Sequence, residues 1–145
     1  MKRIHMGVVV EDFDKSLKFY TDFFDAEPTL LKDGYARWML DDPRVNFNIN
    51  VQGPAPGIDH VGIQVESDTD VAEAGARLRD AGYLAKDDNE SNCGYAEQTK
   101  VWVSDPQGVV WETFHSKKPL EDYGENDLPD ELISELRTGA GATAS

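Results

Sequence analysis

Two histidines head two copies of one short pattern. His5-Met6-Gly7-Val8-Val9-Val10-Glu11 and His60-Val61-Gly62-Ile63-Gln64-Val65-Glu66 keep His, Gly, a β-branched residue, Val and Glu in step. A single histidine on a half-buried strand is usually a hydrogen-bonded structural residue. Two at equivalent points of a repeat are better read as ligands, because imidazole is the commonest metal-binding side chain. Each copy alternates with period two, so His5, Gly7 and Val9 share one strand face, and His60, Gly62 and Gln64 share another. A glycine two residues from each imidazole leaves room beside the ring.

A carboxylate completes the set. In the run Val109–Phe114, Val110, Glu112 and Phe114 fall on one face, with Trp111 and Thr113 on the other. A carboxylate between apolar neighbours costs several kcal/mol if buried alone, so Glu112 requires a cation or a strong set of donors. Aligning Asp42-Pro43 with Asp105-Pro106 and Phe47 with Trp111, with one inserted residue, puts Asn48 at the position equivalent to Glu112. Asn48 belongs to a clean alternation, Val45, Phe47, Ile49 and Val51 against Asn46, Asn48 and Asn50. Beside a weak neutral amide, two imidazoles and one carboxylate with open coordination positions are the facial arrangement associated with non-heme Fe(II) and O2 chemistry. A closed four-ligand site would suit Lewis-acid or structural roles instead. His115 lies on the face opposite Glu112 and receives no role.

The elements that must carry these residues repeat as well. Asp12 can cap a helix with the apolar stripe Phe13, Leu17, Tyr20 and Phe24, and the run from Ser67 to Asp70 precedes Val71, Ala74, Leu78 and Ala81, stopped by Gly82. Three β-like runs follow each helix, near 27–32, 35–40 and 45–51 and near 83–87, 98–104 and 109–115. The expected class is α+β, two βαβββ modules whose sheets curve into one mixed-sheet cup that gathers His5, Asn48, His60 and Glu112. The modules span about 1–52 and 58–115 of a domain over 1–115. Residues 116–145 form an acidic appendage with one helix candidate, Pro129 to Arg137.

Composition narrows the setting. With 14 basic and 28 acidic residues the net charge is −14, which repels nucleic-acid phosphates and anionic lipid and argues against either as a partner. Cys93 is the only cysteine, so no disulfide forms within the chain, and a reducing cytoplasm is the expected location. No apolar run approaches the roughly 20 residues of a membrane helix, and the start lacks a signal-peptide core.

The βαβββ repeat, His5, His60, Glu112 and the helix containing Phe19-Tyr20-Thr21-Asp22-Phe23-Phe24 resemble the vicinal oxygen chelate superfamily, over about residues 1–115. That superfamily includes glyoxalase I, extradiol dioxygenases, fosfomycin-resistance enzymes and metal-free bleomycin-binding proteins. Cys93-Gly94-Tyr95-Ala96-Glu97-Gln98-Thr99-Lys100-Val101-Trp102-Val103 is similar to a narrower signature, that of the organoarsenical carbon–arsenic lyases and cadmium-induced proteins. Their loop carries two adjacent cysteines; this chain keeps Cys93 and has Gly94 in place of the second. The resemblance implies a glyoxalase-like fold and a divalent metal, Fe(II) first, with Mn, Zn, Ni and Co as alternatives. It implies His5, His60 and Glu112 as ligands and a small-molecule substrate with O2. It also implies catalytic contact from Cys93 and substrate contacts from Asn48, Cys93, Tyr95 and Lys100. A glyoxalase I-like isomerase and a bleomycin-resistance-type binding protein remain as alternatives, and a homodimer stays open.

Overall fold

The computed structural model describes residues 1–124 and 135–137, with the backbone alone over 89–96 and 118–124. The helices start where their caps stand. Asp12 accepts a hydrogen bond from the Lys15 amide and opens α1 (Phe13–Phe24); Ser67 accepts from the Asp70 amide and opens α2 (Asp68–Asp80). Helix α1 ends at Asp25 in the left-handed region, and α2 ends at Ala81, before Gly82 at φ 93°. The strands are β1 (Arg3–Val9), β2 (Leu30–Lys32), β3 (Tyr35–Asp41), β4 (Arg44–Asn50), β5 (Gly57–Gln64), β6 (Ala85–Ser104) and β7 (Val110–Gly124).

The chain divides into two compact units: an N-terminal one over Arg3–Val61, and a C-terminal one comprising Met1–Lys2 and Gly62–Ser145. Strand β5 crosses from the first to the second. In the N-terminal unit β1 runs parallel to β4, β4 antiparallel to β3 and β3 antiparallel to β2. One face of this sheet receives α1: Phe13, Leu17, Tyr20 and Phe24 pack on Met6, Val8, Val10, Ala36, Trp38, Phe47 and Ile49. Tyr20 and Phe24 meet Phe47 at ring-centroid distances of 4.6 and 5.2 Å, and the Trp38 indole donates to Ala26 O at 2.9 Å. Full burial of an aromatic such as Phe47 contributes roughly 1.5–3 kcal/mol, and the partly buried Tyr20 and Phe24 contribute less each. Once Met6 and Val8 are committed to α1, His5, Gly7 and Asn48 must face the other way.

In the C-terminal unit α2 places Val71 and Ala74 against Val65, Ala85 and Val101, with Ile63 and Leu78 at the margin. Ala81, expected on this apolar stripe, is exposed, because the helix has already ended. The runs near 83–87 and 98–104 form one continuous strand, β6, and β7 continues past residue 115 to Gly124. Each extension gives the other a backbone partner, from Ser104↔Val110 to Gly94↔Gly124. Register shifts between Gly94 and Ala96 and between Glu97 and Gln98 absorb the polar, glycine-containing stretch that reads as a loop in sequence. The helix candidate of the tail is described only at 135–137, which is helical. There Leu136 is buried, Glu135 pairs with Lys86 at 2.8 Å and Arg137 Nε donates to Gly108 O at 3.1 Å.

Candidate metal centre

The N-terminal unit brings its two histidines together. His5 Nε2 and His60 Nε2 lie 2.8 Å apart, with His5 buried at 4 % exposure and His60 partly buried. The opposite nitrogen of each ring is already engaged. His5 Nδ1 donates to Asn46 O at 2.9 Å and His60 Nδ1 to Asp59 Oδ2 at 2.8 Å. A carbonyl and a carboxylate can only accept, so both rings carry their hydrogen on Nδ1, and in the neutral state both Nε2 lone pairs converge. Two such lone pairs repel unless a proton or a metal cation sits with them. A ring fixed by an Nδ1–H bond to a carbonyl or carboxylate is the usual outer shell of a metal-binding histidine.

The glycine of the repeat makes this approach possible. A Cβ on Gly7 would come within 2.7 Å of both His60 ring nitrogens, and closer still to Cε1. Gly7→Ala is therefore expected to drive the His60 ring off its position and weaken metal binding at least tenfold while leaving the helical signal intact. A calorimetric metal titration beside circular dichroism measures both; unchanged affinity would show that the ring position does not matter.

Glu112 belongs to the C-terminal unit, where β7 sets it beside Gly62. A Cβ on Gly62 would lie 2.5 Å from the Glu112 carbonyl oxygen and 2.6 Å from its Cγ. Gly7 stands opposite Asn48 in the β1–β4 register, so Asn48 and Glu112 occupy matching places beside the two repeat glycines. Asn48 is 6 % exposed and lies on the face of His5. Glu112 and Lys100 are fully buried, and Glu112 Oε2 accepts from Lys100 Nζ at 3.0 Å. That ammonium also sits 5.1 Å from the Trp102 ring centroid and 5.9 Å from that of Phe114. The cation that a buried carboxylate demanded is thus supplied by Lys100, a residue the sequence marked only for substrate contact.

His115 faces away from Glu112 and donates from Nδ1 to Asp68 Oδ1 at 3.0 Å. This bond, opposed by burial and helped by Thr99 and the Lys117 charge, holds the Asp68 carboxyl below its usual range. The side chains of Cys93 and Tyr95 lie outside the described residues. Among the described residues, the imidazoles of His5 and His60 and the carboxylate of Glu112 each offer one atom that could bind a metal ion.

The sequence profile of the glyoxalase/bleomycin resistance protein/dioxygenase superfamily matches residues 2–113. The chain belongs to that superfamily. Among its relatives, a trivalent organoarsenical cleaving enzyme of Bacillus sp. (strain MD1) is 39 % identical over 84 % of this chain and 78 % of its own length. Cadmium-induced protein CadI of Mycobacterium tuberculosis (strain ATCC 25618 / H37Rv) is 32 % identical over 90 % of this chain and 89 % of its own. Among solved structures, homoprotocatechuate 2,3-dioxygenase from Arthrobacter globiformis superposes with a TM-score of 0.59 at 24 % identity, over 81 % of this chain and 37 % of that one. That likeness is one of fold, and it agrees with the α+β, glyoxalase-like architecture expected from the repeat. Arg37, on the same sheet face as His5, is the polar residue that sequence reasoning passed over. Its alternation with Ala36 and Trp38 marks it as the polar residue of its own strand, and only the β3–β4 register sets it beside the asparagine row.

Proposed function

We propose that this superfamily member is a metal-dependent oxygenase or lyase in which His5, His60 and Glu112 hold one divalent ion, Fe(II) in the active form, and in which a carbon–arsenic or similar small-molecule bond is cleaved with O2 as co-reactant. The convergence of the two Nε2 atoms, with both Nδ1 atoms engaged by acceptors, carries the reading. Two nitrogens bound to one ion at about 2.0–2.1 Å stand roughly 3 Å apart at near-right angles, close to the observed spacing. The metal, when bound, supplies a centre at which O2 and substrate meet. Glu112 contributes the negative charge that favours a divalent cation, Lys100 fixes one of its oxygens, and Asn48 offers a neutral amide where a fourth strong ligand would close the site. That neutral amide favours this reading over a glyoxalase I-like isomerase. The organoarsenical relative and the Cys93 signature favour arsenic as the substrate element.

With methylarsenite as probe the reaction balances with one O2 consumed, giving arsenite and formaldehyde while arsenic stays trivalent. Two thiolates bind trivalent arsenic better than one by a factor on the order of 10² to 10⁴ when geometry permits, since the second capture is intramolecular. Cys93 with Gly94 should therefore bind methylarsenite weakly, Gly94→Cys should bind it much more tightly, and Cys93→Ala should lose it. Formaldehyde release and O2 uptake by the Fe(II) protein, with and without air, accompany the binding measurement. Equal turnover without O2 would contradict the oxygenase reading, and tight binding by Cys93→Ala would contradict the thiol's role.

A further inference from the structure

The face of the N-terminal sheet that carries His5 is polar in three rows. The β3–β4–β1 register aligns Tyr35, Asn50 and Val9, then Arg37, Asn48 and Gly7, then Met39, Asn46 and His5. Their neighbours Ala36, Trp38, Phe47, Ile49, Met6 and Val8 all belong to the α1 core, so these rows point to the opposite side. The His60 ring covers Gly7, which puts it in the row of Arg37 and Asn48.

Arg37 is the unusual member. Its Nε is buried and meets no hydrogen-bond acceptor among the described residues, and no carboxylate among them pairs with its guanidinium. The contrast with other arginines is plain. Arg3 and Arg44 both hold Asp41, and Arg79 holds Asp87. In a chain with twice as many acids as bases, a half-buried guanidinium among asparagines, with no acid among the described residues, has been kept from the abundant partners it could have had. Burial of such a group without a partner lowers stability, a cost that an anion bound from outside the chain would offset.

We propose that Arg37, with Asn48 beside it, is the specificity determinant for an anionic oxygen group on the substrate, a carboxylate or comparable organic oxyanion. The guanidinium presents a planar fork of donors that matches two oxygens at once, and the Asn48 amide can add a third donor. Two strand spacings separate Arg37 from Gly7, roughly 10 Å between backbones. A small aromatic or short-chain molecule therefore reaches from the histidine pair to the guanidinium. The reacting end lies at the histidines and the acidic end at Arg37. This inference rests on the proposed function for the identity of the reacting end, but the anion preference comes from Arg37 with Asn48 and does not depend on the metal.

Benzoate and benzamide, equal in size and different in charge, test the preference by calorimetric titration of the full chain with and without Fe(II). Native protein is expected to favour benzoate at least tenfold. Arg37→Lys, which keeps the charge and loses the fork, should retain part of the preference, and Arg37→Gln should lose it. Arg37→Gln should also melt no lower than the native protein, since it removes a charge with no acidic partner among the described residues; a structural arginine would give the reverse. His60→Ala, which removes a proposed metal ligand, should keep the benzoate preference in metal-free protein, so loss of the metal reading and loss of this one are separable. Equal affinity for the two probes in native protein, a preference that survives in Arg37→Gln, or a lower melting temperature in that variant would overturn the proposal.

Discussion

Lys100→Met is expected to destabilise the metal-free protein by about 3–5 kcal/mol, the cost of breaking a buried ion pair by removing one partner. The Lys100 side chain is 0 % exposed and that of Glu112 1 % exposed, with 3.0 Å between Nζ and Oε2, so water cannot take over when the ammonium is lost. Methionine keeps most of the lysine's length, so the loss falls on the charge, with its contacts to the Trp102 and Phe114 rings, more than on the aliphatic stem. The double variant Lys100→Met/Glu112→Gln should recover much of the stability, because the pair leaves together. Added divalent metal should stabilise Lys100→Met more than native protein, in proportion to the logarithm of metal concentration over Kd. Urea denaturation with and without metal measures all of these. A Lys100→Met protein within about 1 kcal/mol of native would mean that the pair does not hold Glu112.

Much of this architecture was legible in the chain because period and capping agree along it. The stripe Phe13, Leu17, Tyr20 and Phe24 with Asp12 before it could be only a capped amphipathic helix, and the alternation of Val45, Phe47 and Ile49 with asparagines could be only a strand with one apolar face, although Val51, expected to continue that face, lies beyond β4 and is 47 % exposed. The histidine repeat, the role of its glycines in clearing space and the correspondence of Asn48 with Glu112 all follow from matching two copies of one pattern. What was not legible depends on pairing between distant segments. The extension of β6 and β7 requires each to find the other as partner, which a stretch such as Asn89-Glu90-Ser91-Asn92 does not announce by itself. The Lys100–Glu112 contact is a diagonal across two strands, since Lys100 stands opposite Phe114 and Glu112 opposite Trp102. Arg37 was hidden for the same reason. On its own strand it is one polar residue between two core residues, and only the β3–β4 register places it with Asn48.

Loss of either imidazole or of the carboxylate is expected to have the largest functional effect. His5→Ala or His60→Ala leaves a single nitrogen where two now meet at 2.8 Å, and Glu112→Ala removes the negative charge that favours a divalent ion. Each should abolish stoichiometric metal. Asn48→Ala should cost at most about 10- to 100-fold in affinity, the range of an outer-shell partner. His115→Ala should leave metal binding unchanged, since that ring is occupied with Asp68 on the opposite strand face. The most direct test is the iron content of native and His60→Ala protein, reconstituted anaerobically with Fe(II) and desalted under the same conditions. One iron per chain is expected in the native protein and almost none in a correctly folded His60→Ala; iron retained in full by that variant, or none in the native protein, would contradict metal binding at the histidine pair.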